Sequence, residues 1–246
     1  MAPAGIGDRV EGIHAVAAAL AAGRVLALEV DPASRSTLED LLADAAGAGV
    51  SVEFVDDLAR RAVTTAPQGV IARCRPLVPR SLDDAVASVT PAALIVLDHV
   101  VDPRNVGAIA RTAVAAGFGG IVVSERRAAP LGATAFKAAA GALEQLAVVT
   151  VSSVAAAIDA LSKQGVWVVG LDAEGGSSLF GLGLLTEPVA IVVGAEGDGL
   201  SRLVRERCDV VASIPLLGEV ESLNVSVAAA LGVYEVARVR QSTAHS

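Results

Sequence analysis

The chain has 246 residues, enough for one large domain or two modest ones with a substantial core. Its 27 acidic residues outnumber 19 basic ones, a net charge of −8 that argues against nonspecific nucleic-acid binding through neutralised phosphates but leaves room for a local basic patch. Apolar residues make up 53% of the chain, yet charges, Gly or Pro interrupt every run before the roughly 20 residues of a membrane span, and MAPAGIGDRVEG lacks the basic-then-apolar pattern of an export signal, so no membrane association and a cytoplasmic location are expected.

From residue 12 to 75 helical and extended patterns alternate. GIHAVAAALAAG reads as a helix, RVLALEV as a strand, STLEDLLADAAGAG as a helix, SVEFV as a strand, DDLARRAV as a short helix and GVIARCR as a strand. Residues 1–75 therefore form a small α/β unit. The proline-bounded segment PLVPRSLDDAVASVTP, residues 76–91, is expected to be a linker with one helical turn. Beyond it, in residues 92–246, the runs ALIVLDHV, GIVVS, LAVVTV, VWVVGLD, VAIVVGA and VVASIPL alternate with helical stretches. Near-continuous Val/Ile/Leu strands separated by helices predict a largely parallel sheet covered on both faces.

Ligands of such sheets bind outside the carboxyl ends of the strands, and three loops there carry polar residues or glycines. In LDHVVDPRNVGAIAR, Asn105 is placed to cap the following helix and Arg111 lies nearly two turns on; read singly, a cap and a solvated arginine explain both. In VAIVVGAEGDGL, Gly194, Gly197 and Gly199 allow close backbone approach, in an order that matches neither the dinucleotide fingerprint nor a Walker loop. Glu196 among them would repel a phosphate, so this loop suits a cation or a hydrogen-bond donor from elsewhere in the fold; a glycine turn with a surface acid fits equally well. In IPLLGEVESLNVSVA, Ser222 can cap a helix starting at Leu223 while Asn224 points into the same crevice. Capping accounts for one of Ser222, Asn224 and Ser226, not for all three.

Other polar residues have plainer readings. His14 has no local partner, His99 beside Asp98 fits strand-end polarity, and Asp172 with Glu174 fits an acidic turn. Cys74 and Cys208 lack a nearby Cys or His and read as buried thiols; no metal-ligand spacing is present, so no metal is expected.

Taken jointly, DPRNVGAIAR, IVVGAEGDGL and IPLLGEVESLNVSVA resemble the three ordered motifs of the SpoU/TrmH family of RNA ribose 2′-O-methyltransferases, in the SPOUT class. VEGIHAVAAAL and APQGVIARCRP further look like the ribosomal-protein-like RNA-binding domain of the bacterial subgroup that methylates a 23S ribosomal RNA guanosine. The resemblance implies a carboxyl-terminal trefoil-knotted domain with a mostly parallel sheet, a known exception to the rule against knots, preceded by the small α/β domain. It implies S-adenosyl-L-methionine as cofactor, held by Gly194, Ile214 and Leu223 with Leu171 and Leu216 as further walls. It implies Arg111 as the central catalytic group, with Asn105, Glu196, Ser222 and Asn224 shaping the site. RNA is the implied partner, and a homodimer the implied assembly, because related proteins build each site from two chains. Transfer RNA as substrate, or a noncatalytic RNA-binding or ribosome-assembly role on the same fold, are the alternatives. A dinucleotide-dependent oxidoreductase is disfavoured by the glycine order. The amino-terminal unit is itself acidic, with 7 basic against 10 acidic residues, so RNA binding there calls for a focused patch such as Arg60, Arg61, Arg73 and Arg75.

Overall fold

A computed structural model describes residues 5–244 of the chain. The first sheet contains β1 (Arg9–Glu11), β2 (Val25–Val30), β3 (Ser51–Phe54) and β4 (Val70–Cys74) in the order β1-β4-β2-β3. Strand β4 runs antiparallel to β1 and β2, and β3 runs parallel to β2. Strand alternation turns Val10, Leu28, Val30, Val70 and Ala72 to one buried face, where α1 (Ile13–Ala21) and α2 (Glu39–Gly47) contribute Val16, Ala19, Leu41 and Ala45. The short α3 (Leu58–Arg61) packs Leu58 on Ile71 from the opposite face. Strand β1 was not expected from sequence, since three residues are too few for alternation to register.

Glu11 in β1 is fully buried and holds the chain after α3 in place. Its carboxylate accepts hydrogen bonds from Val63 N (2.8 Å), Thr64 N (2.9 Å), Thr64 Oγ1 (2.6 Å) and Arg9 Nε (2.9 Å). Burial pushes its pKa up, but these donors outweigh burial and hold it below the ordinary glutamate value.

The second sheet consists of β5 (Ala93–Leu97), β6 (Gly120–Ser124), β7 (Ala147–Val151), β8 (Trp167–Leu171), β9 (Ser177–Ser178), β10 (Val189–Val193) and β11 (Val210–Ser213). Its order is β7-β6-β5-β10-β8-β11-β9, and every pairing is parallel. In β5 the residues Ala93, Ile95 and Leu97 face one layer and Leu94 and Val96 the other, so both faces are buried. The first layer contains α5 (Pro103–Ala115), α6 (Ala133–Ala139) and α9 (Val225–Ala244); the second contains α4 (Leu82–Ala87), α7 (Val154–Lys163) and α8 (Arg202–Arg207). Helix α4 lies within the expected linker. A reciprocal cap between Ser81 and Asp84 starts it, and Ala85 is fully buried against the sheet.

The two sheets share one continuous hydrophobic core. Helix α6 is the joint: the Phe136 ring lies under Gly7, where a Cβ would come within 2.3 Å of it. Arg24 stacks over that ring at 5.5 Å and forms a buried two-point ion pair with Glu144, its Nε 2.9 Å from Oε2. Among the described residues no helix is long and apolar enough to cross a membrane.

Two substitutions test this packing. Gly107 in α5 lies so close to α6 that a Cβ would approach Ala135 O to 2.4 Å, so Gly107→Ala is expected to lower unfolding free energy by about 1–3 kcal/mol in urea titrations. A group with a depressed folded pKa stabilises above its unfolded value and loses that contribution on acidification. Glu11→Gln is therefore expected to be less stable than wild type at neutral pH, with the gap closing as pH falls through and below the ordinary glutamate range.

Candidate active site

Parallel pairing brings the carboxyl ends of β5, β10, β8 and β11 to one edge, and three loops from distant parts of the chain meet there. Helix α5 begins at Pro103 and is capped by Asp102, whose Oδ1 accepts from Arg104 N at 2.8 Å. Asn105 is thus not the expected cap. Proline at the first helical position puts the cap at Asp102, three residues upstream, and Asn105 falls in the first turn, 8% exposed. Its Nδ2 donates to Glu196 Oε1 at 2.6 Å.

The second loop folds back on itself. Ala195 N donates to Gly199 O at 3.0 Å and Gly199 N to Ala195 O at 3.1 Å, with Gly197 and Gly199 at φ of 86° and 64°. A Cβ on Gly194 would lie 2.0 Å from Gly199 O, so only glycine permits this closure. Asp98, buried at the end of β5, accepts from Ser201 N at 2.7 Å and ties the loop's far side down; His99 Nδ1 lies 3.4 Å from its other oxygen.

The third loop runs without regular structure from Ile214 to Asn224. Helix α9 starts at Val225, and Asn224 caps it, its Oδ1 accepting from Ser226 N at 2.9 Å and Ser226 Oγ at 2.6 Å. Ser222 is therefore not the cap: the helix begins two residues later than the sequence pattern implied, leaving Ser222 exposed and Leu223 turned to the cavity. Asn224 Nδ2 donates to Glu196 Oε1 at 2.9 Å and lies 3.3 Å from Asn105 Oδ1. One carboxylate oxygen thus joins residues 105, 196 and 224.

Beside this junction is a cavity of about 500 Å³. Leu171, Gly194, Ile214, Leu216 and Leu223 line it, as do Glu196 and Ser222. Its polar lining is otherwise Asp172, Glu174, Asp198, Glu221 and one cation, Arg205. Arg205 Nη1 pairs with Asp172 Oδ1 at 3.0 Å, and its Nη2 donates to Glu174 O at 3.1 Å. Sequence reasoning missed Arg205, which stands in the ordinary-looking helix pattern LSRLVRERC; Asp172 and Glu174, read there as an acidic turn, are part of the wall.

Arg111 is placed differently. It is exposed on α5, does not line the cavity, and among the described residues its guanidinium has no hydrogen-bond or ion-pair partner. The donors to Glu196 within one chain are Asn105 and Asn224. Of the four arginines considered as an RNA patch, Arg60 pairs with Asp57 at 3.0 Å and Arg61 with Glu29 at 3.2 Å, Glu29 and Arg73 line one hollow on the first sheet, and Arg75 lines a different cavity. Burial pushes the Cys74 thiol up to about 11 and the half-buried Cys208 up to about 12, so both are inert near neutrality. His14 is exposed. Among the described residues no His, Cys, Asp and Glu group is arranged to hold a metal ion.

Residues 92–234 match the SpoU rRNA Methylase family, and residues 9–79 match the domain described as RNA 2′-O ribose methyltransferase substrate binding. The chain belongs to the SpoU methylase family. It is 40% identical over 245 residues to the 23S rRNA (guanosine-2′-O-)-methyltransferase RlmB of Photobacterium profundum, covering 95% of this chain and 98% of that protein. The enzyme of the same name from Vibrio cholerae is 39% identical over 96% of this chain and 98% of its own length. Among solved structures, the SpoU methyltransferase AviRb from Streptomyces viridochromogenes, in complex with AdoMet, superposes with a TM-score of 0.81 at 26% identity, covering 95% of this chain and 90% of that one.

Asn224→Ala removes both the α9 cap and one donor to Glu196. A lost cap costs about 1 kcal/mol, so the variant is expected to unfold at lower urea and to exchange backbone amides faster between residues 214 and 228, with the first sheet unaffected.

Proposed function

We propose that the protein transfers the methyl group of S-adenosylmethionine to a ribose 2′-hydroxyl of RNA, at a guanosine of 23S ribosomal RNA. The observation that carries this reading is the convergence of the three family motifs on one cavity, with Asn105, Glu196 and Asn224 hydrogen-bonded at its edge. The division into a substrate-binding unit at 1–75, a linker at 76–91 and a methyltransferase unit at 92–246 belongs to the same reading, supported by family matches to 9–79 and 92–234. So does the trefoil knot, supported by the placement of β10 between β5 and β8.

The residues fit the cofactor. The volume lies in the range of small-ligand sites, and Leu171, Ile214, Leu216 and Leu223 offer an apolar bed beside the bare backbone of Gly194. Five carboxylates against one arginine in the wall favour a sulfonium cation and repel a pyrophosphate, which also weighs against a dinucleotide. When bound, S-adenosylmethionine supplies an electrophilic methyl group on that sulfonium.

A ribose hydroxyl is a weak nucleophile that must shed its proton as the methyl group transfers, held in line with the methyl carbon and sulfur. Glu196, fixed by two amide donors, and Ser222 at the rim shape the place where the ribose sits. Arg111 supplies positive charge that eases deprotonation of the hydroxyl and contacts RNA phosphate. Because Arg111 stands on the outside of α5, away from the cavity of its own chain, this role belongs to a homodimer in which Arg111 serves the partner's site. The cytoplasm is the compartment where such a substrate is met.

Incubation with unmodified 23S ribosomal RNA and labelled cofactor is expected to yield 2′-O-methylguanosine. Product only on transfer RNA would move the substrate, and RNA binding without cofactor affinity would make the protein a noncatalytic factor. Arg111→Ala is expected to lower turnover about a hundredfold, and Gly194→Ala to weaken cofactor binding about tenfold or more by calorimetry. Mixed dimers of these two variants decide the placement of Arg111. If it acts on the partner's site, one of the two sites is intact and activity returns; if it acts in its own chain, both sites stay defective.

A further inference from the structure

Charge divides sharply along the carboxyl edge of the second sheet. On the β10, β8 and β11 side stand Glu196, Asp198, Asp172, Glu174, Glu219 and Glu221. The one cation in the cavity wall there, Arg205, is already paired with Asp172, so an RNA strand crossing that side would meet net repulsion. On the other side, the loop after β6 carries Arg126 and Arg127, both exposed, and among the described residues neither guanidinium has an acceptor. Their one acidic neighbour on the loop is Glu125.

This loop is held in shape. Ser124 Oγ donates to Arg126 O at 2.7 Å and accepts from Arg126 N at 3.2 Å, closing a tight turn. Arg127 sits in the left-handed region at φ 52°, which glycine would occupy without penalty, yet an arginine is there. Three backbone bonds tie the loop to its surroundings: Glu125 N to Val151 O, Ala129 N to Val100 O and Gly7 N to Leu131 O, all 2.9 Å. The second reaches the turn leading to Asn105, and the third reaches the amino-terminal unit. Further along the same segment, Lys137 donates to Thr64 Oγ1 at 3.3 Å and also to Ala66 O, next to the chain that Glu11 anchors. Arg126 and Arg127 therefore stand between the substrate-binding unit and the Asn105 edge of the crevice, on the half of the rim that does not repel a polyanion.

We infer that Arg126 and Arg127 are substrate-positioning residues that each hold a phosphate of the RNA strand as it passes from the amino-terminal unit to the crevice. The inference rests on the reading of the protein as an RNA methyltransferase. Two planar guanidinium forks suit phosphate oxygens and carry no information about the base, so they set the register of the strand and leave the choice of nucleotide to other contacts.

The test uses the full-length protein, unmodified 23S ribosomal RNA made by transcription, and the double variant Arg126→Ala/Arg127→Ala. Two lost phosphate contacts are expected to make the slope of log affinity against log salt shallower by about 1.4 to 1.8. KM for RNA is expected to rise about tenfold or more while kcat stays within about twofold, because the contacts are made equally in ground and transition states. Cofactor affinity by calorimetry and the urea midpoint should match wild type, and the Arg126→Lys/Arg127→Lys pair should recover most of the slope. An unchanged slope and KM in an active alanine variant overturns the inference and leaves the methyltransferase reading standing. A kcat loss at unchanged KM also overturns it, by placing the arginines in the chemical step. Wild-type protein that neither binds nor methylates RNA removes the reading and the inference together.

Discussion

Parallel pairing of buried strands is the constraint from which the rest of the molecule follows. With every pairing in the second sheet parallel, the chain must return over one face or the other after each strand, and all carboxyl ends fall on a single edge. Residues 105, 196 and 224, far apart in sequence, can then share one carboxylate oxygen. On an exposed rim these bonds contribute roughly 1 kcal/mol each. Their effect is geometric more than energetic, because they tie the first turn of α5, the glycine loop after β10 and the irregular stretch before α9 to one point.

The far end of the fold is closed by the last helix. Arg240 in α9 donates to the carbonyls of Leu185 (3.2 Å), Ala92 (2.9 Å), Glu187 (2.7 Å) and Pro91 (3.0 Å), which binds the helix to the amino ends of β5 and β10. Glu235 accepts from Gly181 N at 3.1 Å and from Arg238, which holds its pKa down. Helix α9 is thus pinned by its cap beside the cavity and by Arg240 at the opposite end of the sheet, so the loop from 214 to 224 is stretched between β11 and a fixed helix start.

Much of this was legible in the sequence where burial leaves a strong pattern. The continuous Val/Ile runs of β5, β6, β8 and β10 announced two-faced burial, and the polar residues after them announced the crevice. The failures have local causes. Strands β1 and β9, of three and two residues, are too short to carry a period. The caps were misplaced because Asp102 and Asn105, like Ser222 and Asn224, are all good caps, and only the helix register chooses among them. The Asp102-Pro103 pair was the available signal for the first; the second had none. Arg205 was invisible because its partner Asp172 lies on a loop far away in the chain. The exposed setting of Arg111 follows from the packing of α5 against α6 and α9, which no motif encodes.

The shared core between the two sheets bears on how the two units can move relative to each other. With Phe136 wedged under Gly7 and the Arg24–Glu144 pair largely buried, the amino-terminal unit cannot swing without exposing apolar surface and breaking that pair. The span from that unit to the crevice is consequently a fixed length. The two sheets therefore behave as one frame, with the crevice edge of the second held at a set distance from the first.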